Sequence, residues 1–173
     1  MVFQYSWSHN EANFGPPVEK QIGGGMHISV EIVLQYQGRF IGLRRESIPG
    51  HEAPEHAYKH PHGLLYFCHD LIRYGESIKE CVERIVKSQT GTNVTSYRLI
   101  DIESTIQDKD NQWAFTPTIV ARLESKPVIG TFGNQIHEVV EFTKADIPDD
   151  FAWWAKEELR ELLSRIDDQS NEC

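Results

Sequence analysis

The sequence predicts an α/β fold of the layered kind, a mixed β-sheet with helices on both faces. Three observations predict it. Ile28, Val30, Ile32 and Leu34 alternate with Ser29, Glu31, Val33 and Gln35, which is the period of a strand. Residues 76–90 and 148–166 repeat their apolar residues at helical spacing. Further strand-like runs precede and separate these two helices, and helices laid on a sheet satisfy layer packing.

The 173 residues suffice for one domain with a substantial core. The formal net charge is −9, which argues against a nucleic-acid backbone as partner but not against a small anion in a local basic pocket. Cys68, Cys81 and Cys173 fit no zinc spacing and no disulfide framework. Reduced thiols, with no signal-peptide pattern and no apolar run long enough for a membrane, predict a cytoplasmic protein with no membrane partner.

Residues 1–26 carry Asn, Gly and Pro and read as an arm, with one short strand around Phe3 to Trp7. After the strand that starts at His27, Gln37-Gly38 marks a turn, and Arg39 to Arg45 returns as the second strand of a hairpin. Glu46 to His62 lacks periodicity and is a long loop. Leu64 to Cys68 is a short apolar strand. Glu76 to Thr90 is a helix: at about 100° per residue, Ile78, Cys81, Val82, Ile85 and Val86 share a face. Gly91 suits its C-terminal cap. Tyr97 to Ile106 and Trp113 to Leu123 are strands joined by the turn Gln107 to Asn111, and Gln135 to Phe142 is another. Pro148-Asp149-Asp150 opens the last helix with an acidic cap. The domain is expected over 27–167, with a polar tail at 168–173.

The segment from Gly63 to Ser77 resembles the approach to a Nudix box, in which a strand leads through a glycine turn to Gly-Glu-Ser at a helix start. The box pattern G-x(5)-E-x(7)-R-E-U-x-E-E-x-G-U, where U is bulky and apolar, lies without gaps on Asp70 to Thr92. Glu76, Arg84, Val86 and Gly91 match it. Asp70 and Thr92 depart from it at the ends, and Ile85, Ser88 and Gln89 replace the three glutamates of the helix. Phe40 to Arg45 is similar to the family's second strand. Glu138 to Phe142 with Ala145 to Pro148 is similar to the strand and turn before its last helix. The resemblance implies a Nudix-type α/β/α sandwich and, by ancestry, hydrolysis of a nucleoside diphosphate linked to another group.

The replaced glutamates change the chemistry that the resemblance implies. Family members hold Mg or Mn on them, and hard cations need anionic oxygens. Ile85 offers none, while Ser88 and Gln89 offer neutral ones. Glu80 and Glu83 project about 160° to 220° from Ile85 and are expected in solvent. Glu76 and Arg84, by resemblance, pair and fix the loop against the helix. The implied protein keeps a pocket for a small nucleotide-diphosphate-type ligand and has lost hydrolysis, or keeps little of it.

Candidate ligand-binding residues are Arg44, Arg45, Tyr66, Phe67, His69, Asp70 and Gln89. The arginines suit phosphates, and Tyr66, Phe67 and Trp113 suit a base or simply a core. Two routes to residual catalysis stay open. His51, His56, His60, His62 and His69, with Glu52, Glu55 and Asp70 interspersed, offer transition-metal ligands, although loops often collect histidines. Glu138 or Glu141 offers a general base outside the box, or a solvated strand acid. A third reading is a structural homodimer assembled through the arm.

Overall fold

The structure is a computed structural model of the chain, described here for residues 25–46, 57, 59–107, 112–129 and 136–168. The expected strand in the arm, the positions of His51, Glu52, Glu55 and His56, residues 108–111 of the expected turn and the tail beyond 168 lie outside the described residues. The elements in chain order are β1 (Met26–Tyr36), β2 (Arg39–Arg45), β3 (Leu64–Tyr66), β4 (Cys68–Leu71), α1 (Ile78–Thr90), β5 (Val94–Gln107), β6 (Gln112–Leu123), β7 (Ile136–Phe142) and α2 (Lys156–Asp168).

The seven strands form one mixed sheet with the path β3-β2-β1-β6-β5, to which β4 adds beside β1 and β7 beside β2. Among the paired strands of the described residues, β1 and β6 run parallel and the others antiparallel. β1 and β2 form a tight hairpin in which Gln37 and Gly38 both take positive φ, the two-residue turn whose twist suits flanking strands. The strand expected at 64–68 is split at Phe67. Leu64–Tyr66 pairs with β2, whereas Cys68–Leu71 crosses to β1.

Strand alternation sends the apolar residues of β1 to two cores. Val30, Ile32 and Leu34 join Ile41, Leu43, Ile119 and Ala121 beneath α1, which buries Cys81, Val82, Ile85 and Val86. Val33 faces the other way, with Phe40, Phe67, Val120, Phe142 and Phe151 beneath Leu159, Leu162, Leu163 and Ile166 of α2. This is the expected sandwich. The free thiols Cys68 and Cys81 are buried, and burial pushes them up to about 12 and about 11, so neither is a nucleophile at neutral pH.

Two helix boundaries differ from expectation. α1 begins after Glu76, because Ser77 caps it: its hydroxyl accepts from Glu80 N and the Glu80 carboxylate accepts from Ser77 N, a capping box. Ile78 therefore sits on the first turn and is exposed rather than in the apolar stripe. α2 begins at Lys156, not after Asp150. Residues 150–152 are held to β3 instead: Leu65 N donates to Asp150 O, and Ala152 N donates to Leu65 O. A backbone bonded to a strand cannot also start a helix, so the first turn forms later, with Glu158 accepting from Ala155 N.

Candidate functional site

The face of the sheet under α2 changes character along the strands. On β1, Val33 gives way to Glu31 and Ser29; on β6, Val120 gives way to Thr118 and Thr116. The apolar half is covered by α2, and the polar half lines an open cleft of about 1020 Å³. β5 supplies one side through Asp101, Glu103 and Thr105, placed by a bulge between Leu99 and Asp101. The far wall is Trp153, Trp154 and the Glu158, Glu161 and Arg165 face of α2. Such a concave site with aromatic walls and a few polar groups is the usual form of a small-molecule pocket.

β4 completes the cleft. His69 lies opposite Glu31 in the β1–β4 register, and its Nδ1 is 2.6 Å from Glu31 Oε2. Burial disfavours the charged ring, but the Glu31 hydrogen bond and charge outweigh it and raise the His69 pKa. Alternation turns the neighbours of His69 to the other face. Cys68 enters the α1 core, and Asp70 accepts from Arg84 Nη1 at 2.8 Å.

Arg84 fastens the approach loop to α1. Its Nε donates to Glu76 Oε1 at 2.6 Å, and its Nη2 donates to Glu76 Oε2 and to Leu71 O, both at 2.8 Å. Glu76 also accepts from Arg73 N. The Arg84 guanidinium holds the Glu76 carboxyl down to about 2. This bidentate pair is the geometry in which arginine and carboxylate fit best.

Next along α1 are the positions where the resemblance implies metal ligands. Ile85 is fully buried in the core. Ser88 Oγ donates back to Ile85 O at 2.9 Å. Gln89 donates from Nε2 to His69 O at 2.8 Å and accepts from Arg45 Nη2 at 2.5 Å. A hydrocarbon, a hydroxyl turned to its own helix and an amide do not fit a hard divalent cation. Among the described residues, no group of three or more His, Cys, Asp or Glu side chains is placed to share a metal.

The structure separates the two strand-end arginines. Arg44 donates to Glu138, to Asp150 Oδ2 at 2.6 Å and to Gly63 O at 3.0 Å. It lies beside a second depression of about 330 Å³ with Lys59, His60 and His62. Arg45 instead lines the main cleft, its guanidinium carbon 5.4 Å from the centre of the Tyr66 ring. Of the expected ligand-binding residues, Arg45, Tyr66, Phe67 and His69 meet at the cleft. Arg44 and Asp70 are engaged elsewhere, and Gln89 stands behind Arg45.

The remaining candidates lie away from the cleft. His60 and His62 line the second depression, on Arg44, while His69 faces the first. Glu138 is tied to Arg44, and Glu141 on the same strand to Lys126 and Arg39. Trp113 donates to Ser104 Oγ at 2.8 Å and packs edge-on to Phe115. Sequence reasoning missed Trp153, Trp154 and the Asp101–Thr105 wall. The one available signal was Trp154 in the apolar stripe before α2.

No family model and no curated protein matches the chain. Solved structures do. It is similar to a MutT Nudix hydrolase from Burkholderia pseudomallei, with TM-score 0.60 and 13% identity over 82% of this chain and 98% of that one. It is similar to an ADP-ribose pyrophosphatase from Streptococcus suis, with TM-score 0.59 and 14% identity over 85% and 94%. It is also similar to the Nudix domain of NrtR from Shewanella oneidensis, solved with ADP ribose, with TM-score 0.58 and 14% identity over 84% and 89%. At these identities the likeness establishes the fold.

Proposed function

From the Nudix fold that it shares with these structures, we infer that the chain is a nucleotide-binding protein of Nudix type whose metal-dependent hydrolysis is lost or much reduced. The carrying observation is the helix α1 itself. Ile85 is part of the core, and Ser88 and Gln89 spend their polar atoms on protein partners. Without carboxylates there, nothing on α1 assembles the cation that would neutralise a diphosphate and activate water. The loop clamp Glu76–Arg84 and the cleft remain, so the frame of a binding site is kept. Trp153 and Trp154 on the cleft wall offer faces for a base. ADP ribose, the ligand solved with the NrtR domain, is the first compound to try.

The test is thermal denaturation with ADP ribose, ADP and dinucleoside polyphosphates, alongside phosphate and nucleoside monophosphate release with Mg²⁺ or Mn²⁺. A ligand-dependent rise in melting temperature without release is expected. Rapid magnesium-dependent release by the wild-type chain would sink the reading.

One observation favours assembly as a second role. β5 is the last strand of the sheet path, and it exposes Tyr97, Leu99, Ile102 and Ile106. An edge with this much apolar surface suits a second copy. Sedimentation of the wild type and of an Ile102→Lys, Ile106→Lys variant tests it, and a monomer in both removes it.

A further inference from the structure

Building on the nucleotide-binding reading, we propose that the Arg45 guanidinium is the resident cation of the cleft and holds a phosphate or diphosphate group there without a metal ion. Arg45 emerges where α1 and the cleft meet. It touches Gln89 of α1 on one side and lines the cleft on the other. This is the stretch of helix where the resemblance implies a divalent cation, and the donors present fit none. The positive charge is supplied covalently instead.

Three features make Arg45 available to an anion. Its partner Gln89 is an amide, which orients the guanidinium but leaves its charge uncompensated. A glutamate there would neutralise it. Among the described residues, the side-chain partners of Arg45 are the neutral Gln89 and the Tyr66 ring, and no carboxylate ion-pairs with it; its buried Nε has no hydrogen-bond partner. A guanidinium carries five N–H donors in a fixed fork, and the Nη donors that Gln89 does not take remain for phosphate oxygens. Stacking over Tyr66 holds the plane of that fork.

The surroundings fix where the anion sits. Arg44, one residue earlier, is saturated by Glu138, Asp150 and Gly63 O. The other arginine of the cleft, Arg165, is held by Asp101 and Glu161. The rest of the lining carries Glu31, Glu103 and Glu158. Glu31 and His69 answer each other's charge, so among the described lining residues Arg45 is the cation whose charge no carboxylate partner offsets. The acidic end instead accepts hydrogen bonds from groups that donate, such as sugar hydroxyls and amines. The ligand is therefore polar end to end: one phosphate-bearing terminus at Arg45, and a hydroxyl- or amine-rich terminus toward Asp101 and Glu103.

Titration calorimetry in EDTA with two probes, inorganic pyrophosphate and ADP, tests this. The proteins are the wild type, Arg45→Ala and Gln89→Glu. The last variant keeps the side-chain shape and neutralises Arg45, so it serves even if Arg45→Ala unfolds; circular-dichroism melts check both. Wild type is expected to bind pyrophosphate in EDTA, with no gain on adding Mn²⁺. Both variants are expected to bind it at least about tenfold more weakly. Equal affinity in the folded variants, or wild-type binding that requires Mn²⁺, overturns the proposal. Pyrophosphate bound through Arg45 while ADP is ignored would leave this inference standing and remove the nucleotide reading. ADP bound equally by wild type and Gln89→Glu would do the reverse. No binding of either probe to the wild type removes both.

Discussion

Gln89 ties Arg45 to the backbone of His69: one amide accepts from Arg45 Nη2 at 2.5 Å and donates to the His69 carbonyl at 2.8 Å. Helix α1, strand β2 and strand β4 thus meet through a single neutral side chain. A carboxylate at this position would keep the first bond and lose the second, because it has no N–H to give.

Gly63 is predicted to be intolerant of any side chain. Its φ is +81°, and an added Cβ would lie 1.8 Å from the Arg45 carbonyl oxygen. Backbone blocks the space, so the strand end itself would have to move. Gly63→Ala is expected to cost at least about 1–2 kcal/mol from its left-handed conformation alone. The clash adds to that. Gly75, at φ +80° with nothing within 4 Å, should show only the conformational cost. Urea denaturation of the two variants measures the difference.

Ile85 is predicted to be worth more as a core residue than as a ligand position. Ile85→Ala should destabilise by about 2–5 kcal/mol, the range for truncating a fully buried aliphatic side chain. Ile85→Glu should be worse, since the carboxylate would enter a cluster of Val82, Val86, Ile32 and Leu34. Restoring that glutamate should therefore lower expression and melting temperature before it restores any metal binding.

Acid should release the Arg84 clamp. The Glu76 pKa is lowered to about 2 from its ordinary value of 4.5, chiefly by the Arg84 hydrogen bonds. A depressed carboxylate stabilises the fold above its unfolded pKa and loses that contribution as pH falls through the folded one. Between pH 4.5 and 2 the wild type should lose stability that Glu76→Gln, lacking the charge, does not lose. Melting curves of both proteins across this range check it, and parallel curves would refute it.

The His69–Glu31 pair acts in the opposite direction. The His69 pKa is raised from 6.5, with burial opposing the shift and Glu31 driving it. Its stabilisation is complete below the unfolded value and fades as pH climbs through the folded one. The gap in melting temperature between wild type and His69→Gln should be widest below about pH 6 and narrow in alkali. A gap that widens with pH would show that the ring is held neutral.

The sandwich was legible because its signals are local. α1 announces itself by Cys81, Val82, Ile85 and Val86 on one face and Gly91 in the left-handed cap. The hairpin turn needs only Gln37-Gly38. The start of α2 was misplaced because Asp149-Asp150 has the chemistry of a cap, whereas the backbone at Asp150 bonds to Leu65, 85 residues earlier in the chain. The clash of those two demands is tertiary, and no window of sequence contains it. The cleft was half legible for the same reason. Tyr66, Phe67 and His69 lie within four residues around one strand crossing, and Arg45 ends the strand that β3 pairs with. Asp101 and Glu103 reach the cleft only through the irregular pairing at Leu99, which alters the face they occupy.

The bulge between Arg44 and Arg45, opposite the step from Glu138 to Ile136, separates duties that one residue would otherwise combine. The Arg44 side chain reaches from β2 to Glu138 of β7 and to Asp150 in the segment before α2, so it is committed to architecture. The Arg45 side chain faces the cleft instead, held by the neutral Gln89. Natural variation there, to lysine, glutamine or an acid, would retune which molecules the protein admits while the scaffold stays intact, giving descendants of this chain an inexpensive path to new ligands.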